Sequence, residues 1–265
     1  MLDYDFMRNA FAAAGIVAVT AGLVGWFLVL RGQAFAGHAL GHIGFTGATG
    51  AVLVGVPPLW GLLVITVAGG VGMGLLGERL EGRDVAIGVV LAFALGLGLL
   101  FLHFFTAYAS EATALLFGNV LGVDAETVWV LLGLAVLCLC GLAAIARPLL
   151  FASLQPELAE ARGVNLRLVS VLFLVIVAVA TAESAQIVGV LLVFALMVGP
   201  AAAAQRVTTR VGWGVALAGV LAVAVAWAGL TLAFYTDWPS SFWITALSGG
   251  GYIVSGMRAD IRAPV

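Results

Sequence analysis

Two histidines, His38 and His42, stand four residues apart within the run FAGHALGHIGFTGATG. On a helix that spacing puts both imidazoles on one face. Two neutral imidazoles so placed can hold a divalent transition metal between them. The same pair could instead donate to carbonyls of neighbouring helices. The surroundings make the question sharper, because the run is otherwise apolar or small. Ionisable groups at membrane depth cost about 3 kcal/mol or more to insert, so each is a functional candidate. The others are His103 and Glu183. His103 reads as an interfacial or hydrogen-bonded residue. Glu183 reads as solvated near the outer end of its helix or as lining an entrance. Glu111 and Asp124 read as exposed loop acids, with Glu111 a second candidate for the entrance.

The elements that must position these groups are membrane spans. The chain has 265 residues, 63% of them hydrophobic and 9% charged, which leaves too little polar surface to coat a water-soluble globule. The expected fold class is all-α: a polytopic transmembrane bundle of eight to nine spans forming a single domain over 1–265. Apolar runs predict helices near 10–30, 36–56, 59–77, 85–106, 125–147, 166–186, 187–205, 211–235 and 240–257. Lipid requires each backbone polar group to be satisfied within its segment, which favours helices for runs of this length. The weakest division is 166–205, where Glu183, Ser184 and Gln186 suggest a turn or break. The N-terminal segment lacks the basic flank and small-residue site of a secretory signal.

All eleven basic residues are Arg. With the loop 148–165 in the cytoplasm, ten fall inside and only Arg8 outside, the asymmetry of the positive-inside rule. The N-terminus is then outside and the C-terminus inside. Cys138 and Cys140 lie two apart on a helix, point to different faces and read as packing residues, neither a disulfide nor a zinc pair. No phosphate-binding loop is present, so any ATP must be handled by another chain. Nothing points to nucleic acid.

Glycine is concentrated inside the spans. Gly37, Gly41, Gly44, Gly47 and Gly50 either let helices approach closely or permit a broken helix lining a path. The segment 107–124 is too short and mixed to span, and reads as re-entrant or interfacial. The cytoplasmic segment PLLFASLQPELAEARGVN (148–165) predicts a short helix capped by Ser153 and stopped at Gly163, with Leu154, Leu158 and Ala161 on one face. Such a face needs a membrane surface or a partner to pack on.

Several stretches carry a resemblance: FLVLRGQAFAGHALGHIGFTGATG (27–50), LLFGNVLGV (115–123), ASLQPELAEARGVN (152–165) and IVGVLLVFALMVGPAAAAQRV (187–207). With these, the chain resembles the membrane permease subunit of bacterial ABC importers for zinc, manganese and iron. The resemblance implies a homodimer in the cell (inner) membrane, a cytoplasmic ATPase subunit that holds the ATP, and an extracytoplasmic metal-binding protein that delivers the ion. It implies no permanently bound cofactor and no bond-breaking chemistry in this chain. The segment 153–163 becomes the ATPase-docking helix, through Ser153, Leu154, Gln155, Pro156, Glu157, Ala159 and Gly163. The family often has an acid where Gln155 stands.

The family motif commonly has Asp four residues before its His. Here that Asp is His38, while His42 matches. Imidazole for carboxylate removes a negative charge and shifts preference from Mn²⁺ toward Zn²⁺, Ni²⁺ or Cu²⁺. It also makes binding more sensitive to acid, because both ligands must be neutral. The expected substrate is zinc, then manganese or iron; a chelated metal or small organic substrate would need a wider path and no His pair. An integral membrane enzyme would need polar catalytic groups set at one depth, and the ionisable residues are scattered. A gradient-driven transporter would need paired acids or an inverted repeat. By the predicted spans, His38 and His42 sit in the inner half of their helix.

Overall fold

The computed structural model describes residues 4–76, 83–104, 116–190 and 192–262. Ten α-helices follow one another, and no strand occurs among these residues: α1 Asp5–Leu30, α2 Ala34–Leu53, α3 Pro58–Leu76, α4 Arg83–His103, α5 Ala125–Leu154, α6 Pro156–Ala161, α7 Leu166–Val188, α8 Val193–Val207, α9 Val211–Thr236 and α10 Ser240–Arg262. A 3-10 turn, Val120–Gly122, precedes α5. Each of the nine predicted apolar runs falls for the most part, among the described residues, on a helix. Six of them, α1, α3, α4, α5, α7 and α9, have the length and hydropathy to cross a bilayer. α2 has the length, but its glycines and two histidines dilute its hydropathy.

α1 and α7 form the centre. Each is buried over most of its length, whereas α4 and α5 keep most of their side chains outward. The exposed residues of α4 and α5 include Val89, Phe93, Leu100, Trp129 and Leu137. An apolar outer surface is what a lipid-facing helix presents. Small residues set the spacing inside. A Cβ on Gly47 would overlap the Gly61 carbonyl and come within 2.7 Å of the Ile65 Cβ, so α2 and α3 cross backbone to backbone. Thr46 donates across to the Ala94 carbonyl, tying α4 to α2.

Two boundaries differ from those the sequence predicts. α5 does not stop before Pro148 but runs through it to Leu154. Within a membrane bundle the amide hydrogen bond that proline removes is tolerated because neighbouring groups absorb the defect. Ser153 is therefore a residue of α5, not the cap of α6. Gln155 occupies that cap position without a side-chain hydrogen bond, and Pro156 supplies the first helical residue. The stop at Gly163 is as expected: its φ is +85°, and the amides of Gly163 and Val164 return to the Glu160 and Ala159 carbonyls.

The second difference lies between α7 and α8. α7 ends at Val188 and α8 begins at Val193, so the division falls beyond Glu183, Ser184 and Gln186, all of which are in α7. Gly189 has φ +83° and Gly118 has φ +80°, and a Cβ on either would strike the other's backbone. Only glycine fits that crossing. It pins the turn before α5 against the broken corner of α7 and α8. The segment 107–115, with Glu111, lies outside the described residues.

Candidate metal site

α2 is one unbroken helix, so its glycines serve packing and the broken element is the α7–α8 corner opposite. His38 and His42 are both half-buried. Their ring centroids are 4.8 Å apart and the planes meet at 84°. Phe194, at the start of α8, stands edge-on to His38 at 5.3 Å. Between the two histidines, Gly41 turns its open side toward the corner. A Cβ there would lie 3.4 Å from the Val190 carbonyl oxygen and 3.9 Å from Thr181 Cγ2. The face thus offers two imidazoles and one carbonyl that is not committed to a regular helix. Among the described residues no group of three or more His, Cys, Asp or Glu side chains converges. A cation held here keeps positions open for water or for groups outside this chain, which suits passage better than a closed four-ligand cage. Val190 was not singled out in the sequence; the Gly189 beside it was the available signal.

Within α2 the pair sits as the sequence predicts: His38 and His42 are the fifth and ninth residues of a 20-residue helix, in the half that follows Arg31. Arg31, just before α2, stands over the ring of Phe173, the eighth residue of the 23-residue α7. Gly41 reaches Thr181, the sixteenth. By these contacts the pair lies level with the middle of α7.

Glu183 is on a different face of α7 and is fully buried, at 0% exposure. It neither meets solvent at an interface nor lines an open entrance. Its Oε1 is 3.5 Å from Thr20 Oγ1 of α1, and its Oε2 has no hydrogen-bond partner. Cys138 of α5 lies within electrostatic reach and donates to the Ile176 carbonyl at 3.5 Å. Cys138 is buried and Cys140 exposed, in keeping with their opposite faces. His103 ends α4, exposed, against Phe104. Asp124 caps α5, its carboxylate accepting from the Thr127 amide at 2.8 Å. Hydrogen bonds from the Thr127 hydroxyl and amide hold the Asp124 carboxyl below its ordinary value.

At the α6 end, Leu154, Gln155, Pro156, Glu157, Leu158 and Ala161 are exposed, with Leu154 and Leu158 presenting an apolar face. Ala159 is fully buried and Ser153 is half-buried against Arg31, so neither belongs to that free face. Gly163 is exposed beside it.

The profile of the ABC 3 transport family matches residues 3–259. This chain belongs to that family. Among its relatives, a probable metal transport system membrane protein of Treponema pallidum is 32% identical, over 94% of this chain and 91% of its own. The manganese transport system membrane protein MntC of Halalkalibacterium halodurans is 29% identical, over 89% and 82%. The structure of PsaBC from Streptococcus pneumoniae in complex with Fab shares the fold, with a TM-score of 0.85 at 24% identity over 95% of this chain and 91% of that one. The family and the six long apolar helices fit a multi-pass membrane transport protein.

Proposed function

We propose that this chain is the permease of an ABC importer for divalent metal ions, with Zn²⁺ ahead of Mn²⁺. The carrying observation is the His38–His42 pair, its rings 4.8 Å apart on one face of α2, opposite the carbonyl-bearing break between α7 and α8. The pair acts as a way station. An ion released at the far end by an extracytoplasmic binding protein exchanges water for two imidazoles, then leaves when the helices move. The names of the relatives favour manganese or a metal in general. Two nitrogens and no carboxylate favour zinc, the softer choice.

In this reading the α6 end is cytoplasmic, with Arg31, Arg147, Arg162, Arg167, Arg206 and Arg210 gathered on it and Arg8 at the opposite end. The exposed face of Leu154, Pro156, Glu157 and Leu158 meets a separate ATPase subunit, and two copies of the chain enclose the path. The test is uptake of Zn²⁺ and Mn²⁺ into proteoliposomes holding the chain with its ATPase and binding protein. ATP-driven Zn²⁺ uptake should exceed Mn²⁺ uptake. His42→Ala should lower it at least about tenfold, since even an outer-shell partner of a ligand is worth roughly 10–100-fold in metal affinity. Uptake untouched by both His42→Ala and His38→Ala would remove the pair from the path.

A further inference from the structure

We infer that Arg31 is a positioning residue that carries movement of the α5–α6 corner to the histidine-bearing helix α2; the inference rests on the transport reading above.

The link is long in sequence and short in space. Ser153 is the last residue but one of α5, immediately before the corner from which α6 projects. Its hydroxyl donates to the Leu149 carbonyl one turn back, which leaves the oxygen free to accept. Arg31 Nη1 donates to that oxygen at 3.1 Å, across 122 residues of chain. The same guanidinium stands 5.5 Å above the Phe173 ring of α7. One side chain therefore touches both helices that flank α6.

Arg31 is also fixed to α2. It ends α1 in a turn closed by three backbone bonds: Arg31 N–H to the Phe27 carbonyl, Gly32 N–H to Val29 and Gln33 N–H to Leu28, each at 3.0 Å. α2 begins at Ala34, and the Gly37 amide bonds back to the Gln33 carbonyl at 3.2 Å. His38 is the next residue. A shift of the guanidinium thus moves a rigid turn that ends about 6 Å of helix rise from the first imidazole.

Its neighbours show that this is not what an arginine at this end ordinarily does. Arg147, Arg162, Arg167 and Arg210 are exposed, as residues that only set topology can be; Arg206, also exposed, stacks on Tyr252 of α10, while Arg31 is half-buried between elements. A planar, fixed fork suits the task, because it can hold a hydrogen bond and an aromatic face at once. The α6 segment has few other routes inward. Ala159 is its one buried side chain, and α6 packs on α5 and α7 rather than on α2.

The experiment compares wild type, Ser153→Ala, Ser153→Thr and Arg31→Met in proteoliposomes with the ATPase and binding protein. Zn²⁺ and Mn²⁺ uptake and ATP hydrolysis are measured on the same samples. Ser153→Ala and Arg31→Met should lower metal moved per ATP by about threefold to tenfold, the scale on which network residues tune coupling. Hydrolysis should stay within about twofold of wild type, being set in the partner subunit. Ser153→Thr, which keeps the hydroxyl, should restore the ratio. A purely structural staple would lower uptake and hydrolysis together by loss of folded complex, and that outcome overturns the inference. So does an unchanged ratio in Ser153→Ala. Absence of ATP-driven uptake by the unaltered chain would instead overturn the transport reading on which this one rests.

Discussion

Among the described residues, buried or half-buried ionisable side chains at two places in the bundle, the histidine pair and Glu183, differ in what they are open to. His38 and His42 are half-buried and face a broken helix with a carbonyl in view. Glu183 is fully enclosed by α1, α5 and α7 and faces one hydroxyl. Burial alone would rank Glu183 first as a functional group, since an ionisable side chain in lipid is costly wherever it sits. Access reverses the ranking. An ion in transit needs ligands that can be reached, exchanged and left, and only the histidine face offers them.

The strongest way to sharpen that contrast is to change the chemistry of the open place while keeping its geometry. His38→Asp puts a carboxylate four residues before His42. The ratio of Mn²⁺ to Zn²⁺ uptake should rise by about tenfold, which corresponds to roughly 1.4 kcal/mol between the two ions. Competition between the ions in the same liposomes measures it directly. An unchanged ratio would mean that selection happens elsewhere, for instance at the delivering protein.

The closed place should respond much less. Among the described residues no ion pair involves Glu183, and its one hydrogen bond is to Thr20. A neutral amide of the same shape should serve equally well, so Glu183→Gln should keep uptake within about twofold. Thr20→Val removes the only partner and should cost about 1 kcal/mol of stability, the usual net worth of one hydrogen bond. Loss of uptake in Glu183→Gln with the protein still folded would break the comparison. It would mean that the carboxyl takes part in transport despite its enclosure.

Much of this was legible in the residues, for a physical reason in each case. Apolar length located the nine long helices because lipid leaves the backbone few alternatives. The i, i+4 spacing put both histidines on one face because the helical period admits little else. Gly163 marked a stop because a left-handed residue ends a helix cheaply there. What was not legible depended on contacts between segments. Pro148 reads as a boundary in one dimension, yet α5 continues to Leu154 because the bundle absorbs the missing bond. Ser153 reads as a cap, yet its hydroxyl serves Arg31, a residue 122 positions away. Glu183 reads as interfacial by its place near the end of α7, yet the turn before α5 and α1 close over that end.

A second acid extends the comparison to its weakest case. Asp124 lies outside the spans, fully exposed, and its charge is favoured by the Thr127 hydroxyl and amide at the start of α5. Its folded-state value is depressed from 3.8, so the stabilisation it gives is present at neutral pH and is lost as pH falls through that depressed value. Asp124→Asn keeps a cap of the same shape and removes the charge. The two proteins in detergent should therefore differ slightly in melting temperature at pH 7, with wild type higher, because a negative charge at a helix N-terminus is favourable. The gap should shrink with added salt; it should begin to narrow as pH falls to 3.8, where the unfolded carboxyl takes up its proton, and close as pH falls through the lower folded value. A gap that persisted unchanged into strong acid would show that the amide differs from the acid in fit rather than charge.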